Sequence, residues 1–224
     1  MLLHSPLSRY GIGHRPPPAL PLPTDIVVVA AHPNLGQSRV TRTLLAAAAG
    51  ADPSRVAVHD LYARYPDYLI DVDAEQAALA DARLVVWLHP IHWYSMPPLM
   101  KLWLDEVFAF GWAYGPGGTA LRGKDLWLVA STGGGAASYR PDGHNRYFFD
   151  EFLHPYEQTA ALVGMRWLPP MLLHGAHRVG DAALVAHAAV FTDRLQRWPD
   201  WPELADLAAD TGCEVPADER PDLG

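Results

Sequence analysis

The chain has 224 residues, half of them hydrophobic, enough for one α/β domain with a full core and tails. Its formal net charge of -8 argues against nucleic acid, whose long tracks of phosphate need a basic surface, although a mononucleotide can still be held by a few backbone N–H groups. A single cysteine, Cys213, excludes a disulfide within one chain and a thiolate cluster for zinc or iron–sulfur, which fits a reducing compartment.

The first residues carry no acid, two arginines and a run of prolines, and they lack a secretory apolar core. Residues 1–24 are therefore expected to form a Pro-rich extension, disordered or wrapping. No apolar run approaches the length of a membrane helix. A first strand is expected over 26–31. The loop HPNLGQ follows, and Ser38 is placed to cap a helix reaching about Ala49. Strand, polar loop and capped helix make an anion cradle, because the free N–H groups and dipole of the helix point at the loop. With one glycine and neither a Walker nor a GxGxxG pattern, an ordinary βα connection is the competing account.

A second strand is expected over 56–59, then an irregular polar and aromatic segment, then a helix over 74–80 capped by Asp73. The apolar run 84–88 has the length and composition of a strand buried on both faces. It stops at His89-Pro90, and the loop Ile91-His92-Trp93-Tyr94 leads to Pro97-Pro98, which can open a helix but not continue a strand. Leu99, Leu102, Trp103, Val107 and Phe108 recur at helical spacing. A fourth strand is expected over 125–130, ending in Ser131-Thr132-Gly133-Gly134-Gly135. A helix is expected from about 148 to 163, closed by Gly164. The fifth strand, 167–173, is interrupted by Pro169-Pro170, and a last helix covers 181–197. Residues 199–224, rich in proline, are expected to form an irregular C-terminal tail. The alternation βαβαβαβαβα argues for a parallel sheet between two helix layers.

In such sheets ligands bind beyond the carboxyl ends of the strands. The three loops there offer different chemistry. The first supplies a helix N-terminus. The second has Trp93 and Tyr94, which can flank a flat ring. The third has glycines, which let backbone approach a ring closely. Tyr139 and His144 follow the glycines and offer a proton donor with a titratable partner, or else a surface loop that happens to hold a histidine. His89 and His92 have HxxH spacing near His32, but no carboxylate accompanies them, and zinc needs three or four convergent ligands; no metal site is expected. No GxSxG elbow marks a serine hydrolase. The helix beginning at Leu99, with the FAFGWAY that follows it, carries more large apolar surface than one strand–helix unit needs to bury, which points to a homodimer interface.

The stretch HPIHWYSMPPLMKLWLDEVFAFGWAYGPGGTALRGK, with STGGGAASY and WLPPMLLHG, resembles the flavodoxin-like NAD(P)H:quinone reductases. Among these it is similar to the ancillary oxidoreductase subunits of glutathione-gated potassium efflux systems. The likeness covers about Ile26 to Trp198, which sets the domain at 25–198. It implies a flavodoxin-like three-layer α/β/α sandwich, with a five-stranded parallel sheet in the order 2-1-3-4-5, so that the three loops meet beside the switch point between strands one and three.

The resemblance also implies a bound flavin: FMN as in the potassium-efflux subunits, or FAD as in the mammalian-type enzymes. By the same resemblance His32 and the turn Ser38, Arg39, Val40 and Thr41 would contact its phosphate and ribityl region. Pro90, Ile91, His92, Trp93 and Tyr94, with Ser131, Thr132, Gly133 and Gly134, would hold the ring. Tyr139 and His144 would be the catalytic pair above it, although the spacing between them is one residue shorter than in the mammalian-type enzymes. The implied reaction is ping-pong transfer of two electrons from NADH or NADPH to a quinone, with Arg140 meeting either a 2′-phosphate or solvent. A homodimer, a cytoplasmic location and docking on a membrane antiporter at its inner face are implied too. A regulatory, activating subunit that binds flavin is the alternative function.

Overall fold

The computed structural model describes residues 24–207. The elements run β1 (Ile26–Ala30), α1 (Val40–Ala49), β2 (Val56–Asp60), α2 (Leu61–Arg64), α3 (Val72–Asp81), β3 (Leu84–Pro90), α4 (Pro98–Val107), β4 (Asp125–Thr132), α5 (His154–Leu162), β5 (Arg166–Trp167), β6 (Met171–His174) and α6 (Asp181–Arg197). All sheet pairings are parallel, in the order β2-β1-β3-β4-β5, with β6 also on β4. This is the expected flavodoxin-like order. The single fifth strand of the sequence is two short ones, because Pro169-Pro170 has no N–H to give to the ladder. The Trp127 indole N–H reaches the Pro169 carbonyl at 3.2 Å across the break. The expected extension 1–24 and the end of the expected tail 199–224 lie almost entirely outside the described residues.

The sheet is buried on both sides, so β1, β3 and β4 read as near-continuous apolar runs rather than alternating ones. One face packs Val27, Val29, Val85, Trp87 and Leu128 against α3, α4 and α5. The other packs Ile26, Val28, Val86 and Trp127 against α1 and α6. Trp198, Trp201 and Leu204, beyond α6, complete that second layer, with Trp201 edge-on to Trp127 at 4.9 Å. Asp125, at the start of β4, accepts two hydrogen bonds of 2.8 Å from Arg166 and one of 3.0 Å from the Trp198 indole, tying the edge of the sheet to the end of α6.

Helix starts follow local chemistry. Ser38 Oγ accepts the Thr41 N–H at 3.1 Å, the capping bond expected of it. The cap of α3 is Asp71, which accepts from Ala74 N at 3.0 Å, and not Asp73. Asp73 lies inside the first turn, where its charge suits the helix dipole. The helix expected from 148 opens as a 3-10 turn, Phe149–Phe152, and becomes α5 only at His154, because Pro155 fits the first turn of a helix and not its interior. Leu99, Met100, Trp103 and Val107 of α4 face inward and are fully buried, while Phe110 beyond it is 58% exposed. Among the described residues no helix is long and apolar enough to cross a membrane.

Between β2, α3 and α4 lies a buried carboxylate. Glu75 accepts hydrogen bonds from Tyr65 OH at 2.6 Å and the Trp103 indole at 3.0 Å, meets His59 Nδ1 at 2.8 Å, and pairs with Arg64 at 3.2 Å. Burial alone would raise its pKa; His59, Tyr65 and Arg64 outweigh burial and hold it below the ordinary glutamate range. A folded pKa below the unfolded one means stability that is fully present above the unfolded pKa and lost as pH falls through the folded one. Glu75→Gln should therefore cost about 3 kcal/mol at neutral pH, since it strands buried partners. It should also flatten the acid-side decline. Urea unfolding midpoints of the two proteins from neutral pH into the acid range test both outcomes.

Candidate functional site

Parallel pairing brings the ends of β3 and β4 level: Pro90 is in register with Ser131. The ladder continues one step further, with Ile91 N–H on the Ser131 carbonyl at 2.7 Å. The chain then folds back sharply. His92 N–H bonds the Ser95 carbonyl at 2.9 Å and Ser95 N–H the His92 carbonyl at 3.0 Å, enclosing Trp93 and Tyr94 at φ of 49° and 65°. Positive φ at both central residues is the signature of a primed hairpin turn, normally built from Asn-Gly or Gly-Gly. Two large aromatics there carry backbone strain of about 1 kcal/mol or more each. Trp93 is 93% exposed. Tyr94 stacks on Phe152 with ring centroids 5.0 Å apart, and its hydroxyl donates to Asn145 Oδ1 at 3.3 Å.

Opposite this turn stands the glycine loop. Ser131 and Thr132 are buried. A Cβ on Gly134 would sit 3.4 Å from the ring of Tyr139, and one on Gly133 would sit 3.4 Å from His177. The loop then doubles back on itself: Asn145 N–H bonds the Ser138 carbonyl at 2.9 Å, and a Cβ on Gly143 would collide at 2.7 Å with the Ala137 and Ser138 carbonyls. That contact admits only glycine. Between turn and loop lies a cavity of about 280 Å³. Of the residues singled out in the sequence, Ile91, Trp93, Tyr94, Gly134, Tyr139 and His144 line it; Ser138 and Asn145 join them. Tyr139 is 9% exposed, enclosed by Phe149, Phe152 and His174. His144 is exposed on the rim.

The first loop does not line the cavity but adjoins it, with the rings of His32 and His92 edge to face at 6.2 Å. His32 Nδ1 accepts the Asn34 N–H at 3.1 Å. Arg39 turns away to the Val179 carbonyl at 2.8 Å and to Asp181, and the Val40 side chain is buried in the core. Only the backbone amides of these two residues can serve a ligand, as at any helix start. Burial lowers the pKa of His32, helped by His92, and burial also lowers that of His92. His89 is fully buried, stacked on Tyr156 at 5.8 Å, its Nδ1 3.0 Å from the Pro90 carbonyl. Burial pushes it down to about 4, against the Pro90 carbonyl and with help from His92. Among the described residues no three His, Cys, Asp or Glu side chains converge as a metal would require.

A fourth segment, not singled out from the sequence as site-forming, reaches the glycine loop. Gly175 N–H bonds the Gly134 carbonyl and Ala176 N–H the Thr132 carbonyl, both at 2.9 Å. Its only signal in the sequence is the WLPPMLLHG motif, whose His174 lies 42 residues downstream of the Thr132 it meets.

The topology and a helix-capped loop beside a cavity at the sheet's carboxyl edge define a protein of the flavodoxin class. Residues 24–195 match the model of the flavodoxin-like fold, and the chain belongs to that family. It is 44% identical over 175 residues to the glutathione-regulated potassium-efflux system ancillary protein KefF of Citrobacter koseri, covering 78% of this chain and 97% of that protein. The general stress protein 14 of Treponema denticola, solved in complex with FMN, superposes with a TM-score of 0.71 at 38% identity, over 77% of this chain and 98% of that one. An NADPH-quinone reductase of P. pentosaceus gives a TM-score of 0.69 at 26% identity, over 77% and 98%.

The strained turn generates a prediction independent of any ligand. Trp93→Gly removes an exposed ring and relieves a left-handed backbone, so it should stabilise the ligand-free chain by about 1 kcal/mol in urea unfolding. An equal loss instead would mean that the turn is not strained.

Proposed function

We propose that this protein is a flavin-dependent NAD(P)H:quinone oxidoreductase with FMN as its cofactor. The observation that carries the proposal is the cavity in which an exposed aromatic on a strained turn faces a glycine loop backed by Tyr139. The fit to a flat ring is physical. Tyr94 is held by Phe152 and Asn145, but Trp93 keeps a strained backbone with its ring in solvent, a surface that a flat ligand can cover. Gly134 has no Cβ at the cavity wall, where a ring can lie against backbone. The Ile91 and His92 amides are already spent on Ser131 and Ser95, leaving those of Trp93 and Tyr94 for a ring's polar edge. The start of α1, with Ser38 and Thr41 buried and His32 beside it, would take the phosphate and ribityl end. FMN accords with the FMN-bound relative from T. denticola.

The bound flavin would supply hydride transfer from NADH or NADPH to a quinone, in ping-pong order because one ring face serves both. The chain's own residues supply the rest. Tyr139, held by its aromatic neighbours, and His144, on the open rim, would move protons at that face. Arg140 is exposed and 3.5 Å from Asp142, so a 2′-phosphate would have to compete with that carboxylate. Exposed Trp93, on the turn, and Phe110, beyond α4, would face a second copy in a homodimer.

The 44% identity to KefF, an ancillary protein of a potassium-efflux system, supports a second role for the same site: a flavin-loaded subunit that docks, from the cytoplasm, on the inner face of a membrane antiporter and activates it.

An anaerobic stopped-flow record of the purified protein, mixed with NADH or NADPH and then with a quinone, tests the enzyme. Bleaching by one nucleotide and return of colour with the quinone are expected, and mass analysis of the heat-released cofactor should give FMN. Tyr139→Phe and His144→Ala should each slow turnover by about tenfold or more with flavin content unchanged. Bleaching by neither nucleotide would leave the docking subunit as the better account.

A further inference from the structure

The end of β6 makes contacts that the cavity lining does not explain. Thr132 Oγ1 lies 2.7 Å from the Gly134 carbonyl oxygen and 2.9 Å from His174 Nδ1. A hydroxyl has one proton, and a carbonyl has none. Two oxygens that close need the hydroxyl proton between them, so Thr132 donates to Gly134. Its oxygen must then accept from His174, and His174 Nδ1 must carry the proton. The same Gly134 carbonyl also receives the Gly175 N–H at 2.9 Å. The His174 ring is packed too, at 5.4 Å from Tyr139 and edge-on to Phe149 at 5.0 Å. One side chain thus joins the glycine loop to the tyrosine that backs it.

We propose that His174 is a positioning residue: as the Nδ1-protonated tautomer it fixes the Gly133-Gly134 backbone through Thr132, and it holds Tyr139 against that loop. The benefit to cofactor binding rests on the flavin function proposed above; the hydrogen-bond relay itself does not. Free histidine prefers its proton on Nε2, so the relay selects the less common form, and any residue that cannot donate at the Nδ1 position breaks it. Asparagine places an amide N–H near that position. Phenylalanine keeps the ring packing and loses the donor.

The test uses the whole chain, with and without FMN. Long-range proton–nitrogen correlation spectra of the ligand-free protein should show His174 protonated at Nδ1; the Nε2 tautomer would overturn the relay. His174→Phe should speed amide hydrogen exchange at residues 133–135 and weaken FMN binding, each by about tenfold, with His174→Asn restoring most of both. Unchanged exchange in His174→Phe would overturn the positioning role. Failure of the unmodified chain to take up FMN would defeat the flavin function and the proposed benefit to binding, while the tautomer and the exchange rates would still decide the relay.

Discussion

The pairing of β3 with β4 is the constraint on which the site depends. It is the centre of the sheet, buried on both faces, and its register runs unbroken from Leu84 with Asp125 to Pro90 with Ser131. Because parallel strands deliver their carboxyl ends to the same edge, the aromatic turn and the glycine loop emerge side by side. The extra step from Ile91 N–H to the Ser131 carbonyl fixes their height relative to each other. A slip of one residue in this ladder would reverse which side chains face each helix layer, so the core holds the register, and the register holds the cavity.

The strain at Trp93 and Tyr94 is tolerable for the same reason. The turn is clamped on one side by the end of β3 and on the other by Pro97 and α4, whose Leu99, Met100 and Trp103 are fully buried. Trp103 in turn hydrogen-bonds Glu75, and the Tyr62 hydroxyl accepts the Leu99 N–H at 3.4 Å. The polar network beneath α4 thus serves the turn above it: an anchored helix leaves the two aromatics no relaxed alternative.

Much of this was legible in the sequence, and the omissions have a common cause. Strands buried on both faces announce themselves as apolar runs, and the capping role of Ser38 follows from its place before an apolar helix. Local competition misled in two places. Asp71 and Asp73 are both good caps, and because the helix begins at Val72 it is Asp71 that reaches the Ala74 N–H. Pro155 stops the 148–163 helix from being continuous. Within the site, Ile91, Trp93, Tyr94, Gly134, Tyr139 and His144 were legible because they sit in two contiguous motifs. His174 and Asn145 were not, because their roles exist only through partners 42 and 51 residues away.

The electrostatics of the site follow from its burial. His32, His89, His92 and His174 all have their pKa lowered, in each case chiefly by desolvation, with Asp150 opposing the shift at His174. Imidazoles that surround the sheet's edge are thereby kept neutral at physiological pH. Negative charge brought there by a ligand would be met by oriented N–H groups at the start of α1 and on the Trp93–Tyr94 turn rather than by cations. Such dipoles are fixed in place and cost no proton uptake when the charge appears. His144 stands apart on the exposed rim, where exchange with solvent is open. Under the proposed reaction, the half-buried neutral rings would leave charge to these fixed amides, and the one exposed histidine of the cavity lining would be the group free to trade protons with water.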